Sequence, residues 1–485
     1  MIKFKKTTRN KLFLILFSCI LTLSLSYKVN SQSIQIAQNF LNTKYDGNYY
    51  SAMLEADRFY KQGDLQKAKL IQQKVKPEFS QPESIPVAQS DLAKLSPTAK
   101  QYWDAANQAI AEDPESDEEV DSRIFSPLES LVKEYPQFIP GRILLADTYD
   151  LYADEDAALD TIESASETYP DRTDVLDKRI ELLLAYGEPL EASIAAREYA
   201  FSHPDATQAN NYQTAGDEYF KEYQKKLKSK ITRNSIFGGI GQAATGNEDE
   251  GLSLGQMLLQ GESATGEAIS ESYKSDATLI SDAKQLEYLR GIGNKMAQLM
   301  GRDEFEYEFN IIEDSSPNAF ALPGGKIFFH TGMLQLMDSE AELAGVMAHE
   351  VAHAVLSHGY KKLGEAAIAD TGKNLLSSIT GNKADKIVNA GNVLLNQEFS
   401  RSKEKQADVL GIRVLDAAGY SADGLYNVMA KLAQLEKKGN FVDSLLSSHP
   451  ASTKRMEYLE GLIQTKGYNR YGYEGVETYR QIFPR

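Results

Sequence analysis

The sequence predicts a mainly α chain with a small β-sheet, arranged as an N-terminal helical repeat region followed by an α+β domain that carries the chemistry. Three observations predict it. Tyr135-Pro136, Tyr169-Pro170 and His203-Pro204 recur 34 residues apart, a period at which paired helices stack into a solenoid. Ser339-Glu340-Ala341-Glu342 opens an apolar run containing His349-Glu350-Val351-Ala352-His353, and its Ser-x-x-Glu spacing fits a helix capping box. Gly324-Gly325-Lys326-Ile327-Phe328-Phe329-His330 reads as a short strand after a Pro-Gly-Gly turn, since Gly and Pro punctuate and β-branched and aromatic residues extend.

From the N-terminus, Lys3, Lys5, Lys6, Arg9 and Lys11 precede a run from Leu12 to Tyr27 without acidic residues inside it. A basic start and a short apolar core make residues 1–31 a signal peptide or membrane anchor, with Ser26 or Ser31 near the cleavage point. The expected location is therefore exported, in the periplasm or cell envelope, with membrane contact only through this segment if it stays uncleaved. Cys19 is the only cysteine and lies in the signal core, so the mature chain forms no disulfide.

Residues 32–227 are assigned to a helical domain of tetratricopeptide-like repeats. Leu128, Ile162 and Ala196 fall in register at the 34-residue period, as do Leu131, Ala165 and Tyr199, and Ala158 matches Ala192. The Trp-Leu-Gly signature is missing, which makes the repeats degenerate, and a further unit is expected near Tyr60-Lys61-Gln62-Gly63-Asp64. A solenoid offers an extended concave surface, so protein partners are expected there. Residues 228–275, rich in glycine, serine and charge, read as a linker. Gly239-x-Gly241-x-x-Ala244 and Gly251-Leu252-Ser253-Leu254-Gly255 follow charged runs instead of the buried strands that a dinucleotide fingerprint or a nucleophile elbow needs. Residues 276–485 are expected to form the α+β domain that carries the chemistry. The chain has 485 residues, 42% of them hydrophobic, enough for two or three cores. Its net charge of -17 opposes nucleic-acid binding, and the acidic run Glu112 to Glu119 reads as a solvated loop.

On a helix, positions i and i+4 share a face, so His349 and His353 can grip one ion. Glu350 lies about a quarter turn away, placed to act as a general base without ligating. H-E-x-x-H is a catalytic zinc pattern, and one Zn2+ per chain is expected. A third protein ligand must come from elsewhere. Leu356 and Gly359 stand where a metzincin carries its Gly and third His, which excludes that class. His358, five residues beyond His353, would face the far side of a continuous helix and reads as structural. Glu404 is the preferred third ligand. It lies in a helical segment from Phe399 to a stop at Gly419, with Asp408 one turn along to accept a hydrogen bond from a ligand histidine. The small Ala407 and Gly411 let that helix approach closely.

These residues resemble the gluzincin zinc metallopeptidases that include the bacterial heat-shock peptidase HtpX, the CAAX prenyl endopeptidase and the mitochondrial Oma-type proteases. Four pieces match in order between residues 278 and 460: Asn318 to Gly325, Glu342 to His353, Ser400-Arg401 to Asp408, and His449-Pro450 followed by Arg455. The resemblance implies His349, His353 and Glu404 as zinc ligands, Glu350 as general base and Asp408 as outer support. It also implies a zincin-type domain acting on polypeptides; the substrates expected of this exported chain are unfolded or misassembled envelope proteins. No apolar run of about 20 residues occurs in this segment, so it is expected to be soluble. Gly325, Lys326, Ile327 and Phe328 are expected to form an edge strand that pairs with an extended substrate. His449 is expected either to stabilise the oxyanion, to occupy the open zinc position, or to serve in capping and packing, with Arg455 orienting it. The segment 359–397, with glycines at 364, 372, 381 and 391, is expected to form a flap. The alternative function is a chaperone-like scaffold with a latent zinc site.

Overall fold

The computed structural model describes residues 47–80, 86–112, 114, 116–237, 254–369, 394, 399–437, 449 and 453–484. The export signal with Cys19, the residues 238–253 that hold the two glycine patterns, and most of the expected flap lie outside them. Described residues divide into two compact units, one of residues 86–223 and one that joins residues 47–80 to 224–484.

Helices α1 (Gly47–Lys61) and α2 (Leu65–Gln73) come first, turning at Gly63 with φ of 82°. This hairpin sits where a further repeat is expected, yet it groups with the catalytic unit. The reason lies in side chains that single-residue patterns do not reveal. Asp57 accepts from the backbone N–H groups of Glu474 and Val476 at 3.0 and 2.9 Å. Gln72 donates to the Gly472 carbonyl at 2.8 Å, and the buried Lys76 Nζ lies 2.8 Å from Asp423 and 2.7 Å from Glu474.

The other unit contains α3 (Pro97–Glu112), α4 (Ser126–Glu134), α5 (Ile139–Leu151), α6 (Glu155–Thr168), α7 (Thr173–Ala185) and α8 (Pro189–Ser202), and α9 (Ala209–Phe237) begins in it. The 34-residue period is structural. Tyr135, Tyr169 and His203 end α4, α6 and α8 with φ/ψ of -129/59, -128/62 and -132/56°. Each donates its N–H to the carbonyl four residues back, on Leu131, Ala165 and Tyr199. Ala153 and Gly187, also 34 apart, take φ of 57 and 79° in the intervening turns. Leu128, Ile162 and Ala196 are fully buried at equivalent places, as are Ala158 and Ala192. Regularly spaced helical hairpins therefore build this unit from one repeated local solution.

In the catalytic unit, α10 (Leu254–Leu259) and α11 (Glu262–Asp276) occupy much of the expected linker. They pack because Gly266 has no side chain: a Cβ there would fall 1.7 Å from the Pro323 carbonyl oxygen. Tyr360 also donates to the Leu258 carbonyl at 2.8 Å. Then come α12 (Ala283–Met300), β1 (Glu308–Ile312), β2 (Ala319–Leu322), β3 (Lys326–His330), α13 (Thr331–Leu336), α14 (Glu340–Val355), α15 (His358–Ala369), α16 (Arg401–Ala417), α17 (Gly424–Lys437), α18 (Thr453–Lys466) and α19 (Val476–Ile482). The fold is mainly α with one small mixed sheet, as the sequence predicts.

The sheet order is β1-β3-β2, which corrects the expected edge strand. β3 runs parallel to β1, from Glu308 opposite Lys326 to Ile312 opposite His330, and antiparallel to β2, with Ala319 opposite Phe329. Both its backbone edges are used, and all five residues are buried. Lys326 is consumed internally, its Nζ lying 2.7 and 2.8 Å from Glu267 and Glu308. The outer side of β1 is covered too, since Ile280 N–H donates to the Ile311 carbonyl and Glu313 N–H to Thr278. Among the described residues, β2 is the strand with an unpaired outer side.

Candidate metal centre

Helix α14 starts as its sequence dictates. The Ser339 hydroxyl accepts from Glu342 N–H at 3.2 Å, while the Glu342 carboxylate accepts from Asp338 N–H at 2.6 Å and not from Ser339. Residues Ala341 to Val355 are all buried, so the imidazoles of His349 and His353 need partners. Their Nε2 atoms converge to 3.1 Å.

Helix α16 supplies the next donor. Ser400 caps it, and it ends at Ala417 before Gly419 with φ of 81°. Gly411 permits the approach to α14, because a Cβ there would already be 3.2 Å from His349 N. Glu404 Oε1 lies 3.3 Å from His353 Nε2 and its Oε2 lies 3.6 Å from His349 Nε2. Asp408 sits behind, its Oδ1 3.0 Å from His349 Nδ1, which leaves the Nε2 lone pair of that ring facing the centre.

His449 completes the cluster. Its Nδ1 lies 2.8 Å from Glu404 Oε1 and 3.4 Å from His349 Nε2, and its Nε2 is 3.8 Å from Glu350 Oε1. Arg455 meets Asp408 through Nε and Nη2 at 2.8 and 2.7 Å, and Glu404 through Nη1 at 2.6 Å. It thus clamps the two carboxylates of α16, where the sequence suggested a partner for His449.

The donor set passes a simple geometric test for zinc. Tetrahedral ligands at bond lengths of about 2.0–2.1 Å stand about 3.3–3.4 Å apart; the His349 Nε2–His353 Nε2 and His353 Nε2–Glu404 Oε1 separations of 3.1 and 3.3 Å lie near that edge, and the second Glu404 oxygen, Oε2, is 3.6 Å from His349 Nε2. Ligand atoms of His349, His353, Glu404 and His449 all fall within 4.8 Å of one another, and all four residues are buried. Glu350 Oε2 is buried without a hydrogen-bond partner, beside the centre and outside this set.

Burial and charge set the protonation states. Burial pushes His353 down to about 3 and holds His358 well below the usual imidazole value, so both rings are neutral and offer lone pairs. Burial opposes the charge of Glu404, but the adjacent His449 and Arg455 outweigh it and lower its carboxyl well below the ordinary range. Asp408 is lowered in the same way, chiefly by Arg455. Glu350 moves the other way, raised by burial, as suits a proton acceptor. For His449, burial is again the largest influence, yet Glu404 and Glu350 together raise it.

One contact depends on where α14 ends. α14 stops at Val355, Ser357 takes φ of 59°, and His358 opens α15 pointing back at the centre, its Nδ1 2.9 Å from His353 Nδ1. Phe399 covers His353 from the other element, with ring centroids 4.4 Å apart.

Residues 283–463 match the family model described as peptidase family M48. That segment is similar to peptidase family M48 domains. Similar proteins carry protease names. The mitochondrial metalloendopeptidase OMA1 of Schizosaccharomyces pombe is 27% identical over 41% of this chain and 58% of its own length. A putative beta-barrel assembly-enhancing protease of Vibrio cholerae is 30% identical over 42% of this chain and 43% of its own. The beta-barrel assembly-enhancing protease of Escherichia coli is 23% identical over 49% of this chain and 52% of its own. This chain therefore spans about half the length of the curated relatives it matches. The M48 match runs from the start of α12 into α18 and includes every donor of the cluster and none of the repeats, and it agrees with a site built for one zinc ion.

Proposed function

We propose that this chain is an exported zinc-dependent endopeptidase whose substrates are unfolded or misassembled envelope polypeptides. The observation that carries the reading is a tetrahedral-edge donor set with a buried, unpaired Glu350 Oε2 beside it. In this reading His349, His353 and Glu404 hold the metal. A bound zinc ion supplies Lewis acidity to the attacking water and to the scissile carbonyl. Glu350 accepts the proton of that water and delivers it to the leaving amine, a transfer favoured by the raised proton affinity that burial gives its carboxyl. Asp408 and Arg455 keep His349 and Glu404 oriented. An extended substrate pairs with the outer side of β2, which takes the role expected of the residues around β3.

The protein names of the bacterial relatives, which speak of barrel assembly, support an envelope substrate, as does the basic and apolar N-terminus. The hairpin unit would recruit partners as a tetratricopeptide-like solenoid. Between residues 83 and 223 the sequence holds 31 acidic and 10 basic residues, so recruitment there would favour basic partners and weaken with salt.

Metal analysis with casein cleavage, with and without a chelator, tests the reading. His349→Ala, His353→Ala and Glu404→Ala are each expected to lose zinc and activity together. Zinc-replete protein that cleaves nothing would favour the scaffold with a latent site, although such a scaffold has no use for Glu350. His449 lies where a fourth ligand would exclude water, so His449→Ala is expected to retain zinc and to raise basal casein hydrolysis. Lower hydrolysis in that variant would assign His449 to the oxyanion instead.

A further inference from the structure

We propose that His358 and Gln406 form a neutral relay that fixes the tautomer of His353, making His358 a positioning residue for the metal site; this rests on the zinc reading above. Gln406 Oε1 lies 3.2 Å from His358 Nε2, and an amide oxygen only accepts. His358 therefore carries a hydrogen on Nε2, and a fully buried ring with no ion-pair partner among the described residues holds one proton only, which leaves Nδ1 bare. That bare nitrogen is 2.9 Å from His353 Nδ1, which must donate. His353 Nε2 is then left unprotonated, and it is this atom that faces His349 Nε2 at 3.1 Å and Glu404 Oε1 at 3.3 Å.

The relay makes the two histidine ligands unlike. His349 is backed by a carboxylate, Asp408, itself clamped by Arg455. His353 is backed by an uncharged imidazole and an uncharged amide, both buried. A hydrogen-bonded partner orients a ligand ring and raises its basicity. A neutral partner does the first without adding charge to a site that already holds Glu350, Glu404 and Asp408. If the Gln406 amide were turned over, its NH2 would donate to His358, the relay would reverse, and His353 Nε2 would carry a hydrogen incompatible with ligation.

Zinc affinity, read by chelator competition, and ring tautomers, read by two-bond 1H–15N correlation on the full-length protein, test the relay without using peptidase activity. The wild type is expected to show His358 protonated on Nε2 and His353 on Nδ1. His358→Leu is expected to lower zinc affinity about 10–100-fold. His358→Asn, whose side-chain oxygen can accept from His353 Nδ1, should recover most of it. Gln406→Leu, which leaves both rings in place, should lower affinity less than His358→Leu, and keeps the test open if His358→Leu fails to fold. Unchanged affinity in folded His358→Leu or Gln406→Leu, or a proton on His358 Nδ1, would overturn the relay while the metal site stands. A wild type that binds no zinc would overturn both.

Discussion

Glu350→Gln is expected to lower kcat/KM for casein by about 10²–10⁴-fold, the usual contribution of a positioned general base, while zinc content stays at the wild-type level. The two readouts separate because Glu350 lies outside the donor set: His349, His353 and Glu404 converge on one point, and Glu350 Oε1 stands 3.8 Å from His449 Nε2. Glutamine keeps the volume and one oxygen but cannot take a proton. The substitution should not destabilise the fold, because it removes a charge whose burial is unfavourable and whose Oε2 has no hydrogen bond to lose. Loss of zinc together with activity would make Glu350 a ligand. Full activity would remove it from the reaction.

The metal centre was legible in sequence because its chemistry is concentrated on two helices. His349 and His353 share a face by helical spacing alone, and Glu404 and Asp408 repeat that logic on α16, with Gly411 marking the close approach. Features set by the course of the chain were not legible. His358 reads as far-side only while the helix continues; a single left-handed residue, Ser357, turns it inward. β3 looks like an edge strand until β1 and β2 are placed on either side of it, and strand order is a tertiary property. The hairpin spacing survived into structure because the Tyr135, Tyr169 and His203 caps are local events. The placement of α1 and α2 depends on residues about 350 to 420 positions away, and no local pattern carries that.

Lys76→Met tests that long-range attachment, and it is expected to cost the catalytic unit about 3–5 kcal/mol, the range for removing one partner from a buried ion pair. Lys76 Nζ has Asp423 at 2.8 Å, Glu474 at 2.7 Å, the Ser421 hydroxyl at 2.6 Å and the Arg470 carbonyl at 2.5 Å. Its side chain and that of Asp423 are wholly buried. Methionine fills the space but leaves two carboxylates facing each other, with Arg470 Nη2 at 3.3 Å as the remaining cation on Asp423. The cost would be a large share of a typical stability of about 5–15 kcal/mol, visible as a lower urea midpoint. Its pH dependence has a defined sign. Burial alone would raise Asp423, but Lys76 and Arg470 outweigh it and hold the carboxyl below its ordinary value. The stabilisation from that ion pair is therefore full above the unfolded carboxyl pKa of about 3.9 and is lost as pH falls through the lower folded value. The gap between wild type and Lys76→Met should accordingly be widest near neutrality and narrow in acid. Adding Asp423→Asn to Lys76→Met should restore part of the midpoint, because it removes one of the stranded charges. A Lys76→Met midpoint equal to wild type at pH 7 would mean that α1 and α2 are held to the catalytic unit by the Asp57 and Gln72 hydrogen bonds and by apolar contacts, without help from Lys76.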